Sequence, residues 1–300
     1  MYRKILIGYD DSDHAKDALT LGKQLADGSG AELVVAGVFL VAPMWHGMDA
    51  TIREEEVGFA RKLEAAAKSV DAVAEPVRSA SAARGLHEIA EETGADLIVV
   101  GSAHRGRVGQ ALAGSVGVAV LHGSPCAVAI APRAYREHAA GNITAITAGF
   151  DGSPESGLAL SAASDLARAT GAKLKLVSVV EVPVIGTGKG GTEGWHALKD
   201  VVEEQTRAQL AEARSRVPGG IEVEATLVSG DPVQALVNVA GTPGSMLVVG
   251  SRAYGPLHRV LVGSVSSSLI RLAPCPLIVT PRGTHDAPQA ASTPEVVAAS

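Results

Sequence analysis

The 300-residue sequence predicts an α/β fold: two tandem domains, each an open, doubly wound sheet of five parallel strands in the order 3-2-1-4-5. Three observations predict it. Short apolar runs alternate with stretches of helical period, the pattern of parallel strands joined by right-handed helical crossovers. That pattern runs twice, because the Gly-Ser…Gly-Ser-Val stretch at 101–116 returns 149 positions later at 250–265. Each copy follows an apolar run (Leu97-Ile98-Val99-Val100 or Leu247-Val248-Val249) and leads into an apolar helical pattern. A strand, a glycine loop and a helix start form the arrangement in which parallel α/β folds hold phosphate on backbone N–H groups.

The first strand spans 4–9 and leads through Asp10-Asp11-Ser12 into a helix with apolar positions 15, 18, 19, 22, 25 and 26, capped by Ser12. A second strand covers about 32–40, then a loop and a helix over about 51–70. A third strand near 73–78 and a helix at about 83–93 follow. The fourth strand (96–100), the glycine loop, a helix from Ser115 and a fifth strand (126–131) complete the unit. In the second half Ile146–Phe150 leads to Asp151-Gly152-Ser153-Pro154, with Ser153 as cap and Pro154 at the first helical position. The stripe at 159, 160, 163, 166 and 167 matches the first helix at an offset of 141. The offset is 149 by the glycine loop, so eight residues are inserted, and the Gly-rich stretch 186–194 carries them most naturally. Gly186–Gly191 lacks the Gly-x-x-x-x-Gly-Lys-Ser/Thr spacing of a phosphate loop and reads as a plain loop. The last strand covers 275–280. The expected domains are 1–135 and 143–282, joined by a linker at 134–142, with a disordered Ala/Pro/Ser/Thr tail over 283–300.

Composition narrows the function. Nearly half the residues are apolar and only 3% aromatic, which implies aliphatic cores. The net charge of −6 divides as −4 over residues 1–141 and −2 over the rest, with no basic stripe, so nucleic acid is not an expected partner. Arg3-Lys4 runs straight into Ile5-Leu6-Ile7, too short for a signal peptide, and no apolar run reaches membrane-spanning length. The expectation is a soluble cytoplasmic protein with no membrane partner. Cys126 and Cys275 occupy matching places and read as small buried apolar residues, with a redox pair or a reactive thiol as the alternatives. The histidines show no metal-ligand spacing, so no metal site is expected; His87-Glu88-Ile-Ala-Glu91 lacks the second histidine of a zinc helix.

Open sheets of this kind bind ligands at the carboxyl ends of the strands where the winding reverses, here between strands 1 and 4. The loops after those strands carry Asp10 and Asp151, and Gly101 and Gly250. Their coincidence suits a nucleotide-sized anion.

On these residues the chain resembles the universal stress protein family throughout 1–282, as a tandem of two family domains. The family's nucleotide-binding subset carries Gly-x-x-Gly, nine residues, then Gly-Ser/Thr. The flanks match as Gly101 with Gly114-Ser115, and Gly250 with Gly263-Ser264. Pro-Cys-Pro before the last strand and the strand–Asp–x–Ser opening also match. The second glycine is replaced by His104 and Ala253, although Gly106 and Gly255 follow two residues later.

The resemblance implies an adenine nucleotide, ATP with or without Mg2+, as ligand. Asp10 and Asp151 would contact it near ribose or base, and Val38 and Val179 would line the adenine slot. Gly8 and Gly149 would permit close approach. Gly101, Gly114, Ser115, Val116 and their counterparts Gly250, Gly263, Ser264, Val265 would cradle the triphosphate. Ser251, Arg252, Ala253 and Gly255 complete the second loop, Arg105, Gly106 and Arg107 the first, and Ser266 adds a hydroxyl where the first half has Gly117. Each position also has a plain structural reading: turn or capping aspartates, strand–helix packing at Gly8 and Gly149, core valines, and a structural turn plus helix cap at the glycine loops.

Nothing resembles an activated nucleophile, since Ser12 and Ser153 sit at helix starts without a histidine partner. No dedicated base or catalytic arginine stands out, so hydrolysis is expected to be slow at most. The expected function is an ATP-binding stress module whose nucleotide sets conformation or partner choice. The alternatives are a degenerate tandem domain acting as an interaction scaffold, and an enzyme acting on a nucleotide or phosphorylated metabolite. By resemblance, the fifth strands at 126–131 and 275–280 would meet as an internal pseudo-dimer, with homodimerisation also open.

Overall fold

Runs such as Ile5-Leu6-Ile7 and Leu97-Ile98-Val99 are fully buried, as strands covered by helices on both faces must be. The computed structural model describes residues 1–41, 49–102, 116–139, 141–181, 192–251 and 263–281. In the first half the order is β1 (Lys4–Gly8), α1 (Asp13–Ser29), β2 (Glu32–Leu40), α2 (Asp49–Ser69), β3 (Val73–Ser79), α3 (Ala82–Thr93), β4 (Leu97–Gly101), α4 (Val116–Leu121) and β5 (Ala127–Ala131). A short helix, α5 (Tyr135–His138), precedes β6 (Ala145–Gly149), α6 (Pro154–Thr170), β7 (Lys173–Val180), α7 (Thr192–Ser215) and β8 (Val223–Ser229). Then come α8 (Pro232–Val239), β9 (Ser245–Gly250), α9 (Ser264–Leu272) and β10 (Leu277–Thr280).

The ten strands of the described residues form one sheet in the order β3-β2-β1-β4-β5-β10-β9-β6-β7-β8. Each half therefore runs 3-2-1-4-5 when its own strands are counted. Every pairing within a half is parallel, whereas β5 and β10 pair antiparallel, with Leu277 opposite Ile130 and Val279 opposite Val128. This junction covers two apolar edges that would otherwise invite aggregation. The helix starts follow their residue types. Ser12 Oγ accepts from Ala15 N–H at 3.1 Å and Ser153 Oγ from Ser156 N–H at 3.2 Å, with Pro154 at the first position. Both cysteines are buried, and burial pushes each thiol up to about 12, so both remain protonated and unreactive at neutral pH. Among the described residues no helix is long and apolar enough to cross a membrane.

Residues 186–191 of the expected loop lie outside the described residues, and 192–194 are already the start of α7. The linker at 134–142 contains α5. It is also anchored. Asp17 on α1, 1% exposed, accepts from Ala134 N–H at 2.9 Å and Arg136 N–H at 3.0 Å. The Arg136 guanidinium reaches Asp13 at 2.8 Å. Asp17→Ala would strand both linker amides beside α1. A loss of about 3 kcal/mol is expected, since removing one member of a buried charged network leaves its partners unsatisfied. Urea unfolding measures it, and an unchanged midpoint would mean that the linker is not held through Asp17. The expected tail at 283–300 lies outside the described residues.

Candidate functional site

The second half has a cleft at the carboxyl ends of β6 and β9, where the winding reverses. Beyond β6 the chain turns at Asp151, whose Oδ1 accepts the Ser153 N–H at 3.0 Å and also the Ser153 hydroxyl. The acidic residue thereby shapes the turn into α6 and stays exposed at the rim.

At the end of β9, Gly250 is pressed against the first turn of α6. A Cβ there would lie 2.6 Å from the carbonyl carbon and oxygen of Glu155. Next, Ser251 donates its N–H to Thr280 O at 3.0 Å, which ties the cleft to β10. Its side chain is 1% exposed, and its hydroxyl has no hydrogen-bond partner among the described residues. A buried hydroxyl without a partner costs free energy, so a cleft that keeps one is suited to a ligand that completes it.

The chain is described again at Gly263, the N-cap of α9, where the backbone is extended (φ −76°, ψ 171°) and no side chain caps the helix. The N-termini of α1, α6 and α8 are each capped by a side chain. At α9 the first-turn N–H groups and the positive end of the helix dipole remain available, and Gly263, Ser264 and Val265 line the cleft. An anion is the natural complement.

The opposite wall is apolar, built from Val177, Val179, Leu236 and Val249. The cleft is a small one of about 180 Å³, open to solvent on one side.

All of the second-half candidates among the described residues line this one cleft: Gly149, Asp151, Val179, Gly250, Ser251, Gly263, Ser264, Val265 and Ser266. Arg252, Ala253 and Gly255 lie outside the described residues. Ser266 Oγ donates to the Gly263 carbonyl at 3.2 Å, steadying the N-cap. Sequence reasoning missed Glu155 and Glu181, which also line the cleft. Only for Glu155 was there a signal, its place four residues after Asp151 on the facing turn of a helix.

In the first half, Arg105, Gly106, Arg107, Gly114 and Ser115 lie outside the described residues, and Val116 is an exposed residue at the start of α4. The rest have packing reasons. A Cβ on Gly8 would meet Leu86 at 3.0 Å and Val100 at 3.2 Å. Val38 fills the space left by Gly85 on α3, and Gly101 has the His14 carbonyl oxygen 2.0 Å from where its Cβ would be. Asp10 Oδ1 accepts the Ser12 N–H at 3.1 Å, the same turn as in the second half.

The next residue differs between the halves. Asp11 takes a left-handed conformation (φ 64°) that the second half assigns to Gly152 (φ 80°). Lys62 at 2.9 Å and Lys16 at 3.6 Å surround its carboxylate, and the Tyr9 hydroxyl donates to it. The hydrogen bond from Lys62 holds the Asp11 carboxyl below the usual range.

Compared with known proteins, the chain matches the model of the universal stress protein family twice, over residues 1–132 and 142–281. It is 32% identical over 209 residues to a universal stress protein of Mycobacterium tuberculosis, covering 68% of this chain and 70% of that one. The crystal structure of a universal stress protein from Archaeoglobus fulgidus is similar with a TM-score of 0.63 at 22% identity, covering 93% of this chain and 98% of that one. A universal stress protein solved in complex with cAMP matches 43% of this chain and 96% of its own, at 26% identity and a TM-score of 0.36.

Proposed function

The chain belongs to the universal stress protein family, and we propose that within it the second-half cleft binds an adenine nucleotide, ATP with or without Mg2+, as the signal of a cytoplasmic regulatory module. One observation carries this reading: the uncapped N-terminus of α9 opens onto the cleft that also holds the unpartnered Ser251 hydroxyl. Phosphate oxygens accept from the first-turn N–H groups and from Ser251 Oγ, a charge-assisted arrangement. The valine wall accommodates the base, and Asp151 at the rim accepts from ribose hydroxyls. Occupancy reaches beyond the cleft through the Ser251 N–H bond to Thr280 on β10, the strand that joins the halves as an internal pseudo-dimer.

Nucleotide retained on purification, released by denaturation and identified by mass, tests the reading, and calorimetry with ATP quantifies it. Ser251→Ala is expected to weaken ATP about tenfold, the value of one hydrogen bond to a charged group. Stability should hold or rise, because the hydroxyl removed has no partner among the described residues. A variant that binds as tightly as the wild type would remove Ser251 from the site.

A second reading is an interaction scaffold without nucleotide. It draws support from Gly8, Val38 and Gly101, whose residue types packing alone explains. A protein that carries no nucleotide and gives no binding heat with ATP would favour it.

A further inference from the structure

The two outer edges of the sheet are finished differently. Among the described strands, β3 pairs only with β2 and β8 only with β7. In a parallel ladder the N–H and C=O of one residue point to the same side, and successive residues alternate. The bonds at the strand ends fix which side is which. Val41 N–H donates to Ser79 O at 3.1 Å, so Val73, Glu75, Val77 and Ser79 bond inward, and Ala74, Pro76 and Arg78 face out. On β8, Leu174 N–H donates to Glu222 O at 2.8 Å, and Gly230 N–H donates to Val180 O at 3.0 Å. Glu224, Thr226 and Val228 therefore bond inward, and Val223, Ala225 and Leu227 face out. Pro76 deprives β3 of its central outward donor, and Arg78, ion-paired with Glu56, follows it. Proline and charge on an edge oppose the addition of a further strand. β8 has neither at the matching place. Pro76 stands opposite Gly37, and opposite Ser178, 141 positions after Gly37, stands Leu227. No described residue bonds the outward backbone groups of Val223, Ala225 and Leu227.

We infer that the β8 edge pairs antiparallel with the same edge of a second copy of this chain, about a two-fold axis at Ala225. That register sets Ala225 opposite Ala225 and Val223 opposite Leu227. These are the residues whose outward groups are free, so each pair exchanges both backbone bonds. It also sets Glu224, held by Lys173 of its own chain at 3.2 Å, opposite Thr226 and not opposite another carboxylate. The edge is thus complementary to itself in backbone and in charge, the property that a two-fold contact needs and a foreign strand does not. The chain already joins two sheets by an antiparallel pair of edges, at β5 and β10. The first half, closed by Pro76, takes no part in the contact.

The test is sedimentation equilibrium over a range of protein concentrations, on the wild type, Leu227→Pro, Thr226→Glu and Thr226→Lys, with amide hydrogen exchange at low and high concentration. The wild type is expected to dimerise, and the amides of Val223, Ala225 and Leu227 to exchange at least about tenfold more slowly in the dimer. Leu227→Pro, which copies the first half, removes a donor that no described residue uses and should leave a monomer. Thr226→Glu puts like charges opposite each other twice per dimer and should weaken it about fivefold, whereas Thr226→Lys should tighten it about threefold. A wild type that stays monomeric at every concentration would overturn the proposal. So would edge amides already protected in the monomer, because another segment of this chain would then cover β8. A dimer indifferent to Leu227→Pro, or one that responds alike to both charges at position 226, would also overturn it, since the contact would lie elsewhere. If Leu227→Pro fails to fold, the two Thr226 variants still decide.

Discussion

Gly101→Ala is expected to destabilise the protein by about 3 kcal/mol or more, at the upper end of what overpacking costs. The added Cβ would lie 2.0 Å from the His14 carbonyl oxygen and 2.4 Å from its carbonyl carbon. These are backbone atoms of the first turn of α1, so no side-chain rotation relieves the clash, and the helix must lift off β4. Lifting it would loosen Ala18, Leu21 and Leu25, all buried in the same layer. Gly250→Ala meets Glu155 at 2.6 Å and should be somewhat milder in the second half. Gly117→Ala is the control. Its Cβ would have no neighbour closer than 3.7 Å, and it lies in α4, where alanine is better than glycine by up to about 1 kcal/mol. Urea unfolding of the three variants settles the order. If Gly101→Ala unfolds within about 0.5 kcal/mol of the wild type, the packing account of this glycine is wrong. The first glycine of the repeated loop is thus demanded by helix–sheet contact before any ligand arrives, and its presence alone says little about nucleotide.

Gly263→Asp is expected to abolish high-affinity ATP binding, by about 100-fold or more, while leaving the fold intact or slightly stabilised. The position suits aspartate: its extended backbone is that of an N-cap, and no side chain caps α9 in the native chain. The new carboxylate would accept the first-turn N–H groups, worth about 1 kcal/mol to the helix. Those N–H groups are the ones proposed to hold phosphate, so the cap and the ligand compete, and like charge adds to the loss. Few substitutions at a binding site separate stability from affinity so cleanly. Gly114→Asp is expected to leave most binding intact, because the second half, with Ala253 where the first has His104, should bind at least about tenfold more tightly. Calorimetry and thermal melts on both variants check this. Equal losses would make the halves equivalent, and unaltered binding in Gly263→Asp would take the nucleotide away from α9.

The central strands β1, β4, β5, β9 and β10 were legible because they are buried almost throughout and so read as aliphatic runs. The starts of α1 and α6 were legible because Ser12 and Ser153 act within three residues of themselves. The cleft was partly legible, since the doubly wound order brings the loops after the first and fourth strands of a half together. Asp151 and Gly250 could therefore be paired before any coordinates. The bond of the Ser266 hydroxyl to the carbonyl three residues before it was not legible, because it is a local choice that residue type alone leaves open.

Local chemistry, carried by period, caps and the repeated loop, determined the elements, their duplication and the strand ends at which a ligand would sit. Contacts between residues far apart in the chain lay beyond it. Asp17 reaches a linker 117 residues away at Ala134. Glu155 lies against Gly250, and the antiparallel register of β5 on β10 joins the halves. A hydrogen bond, a close approach or a register depends on where two segments meet in space. Only packing of the whole sheet and its helices decides that, and with it which carboxylates face the cleft.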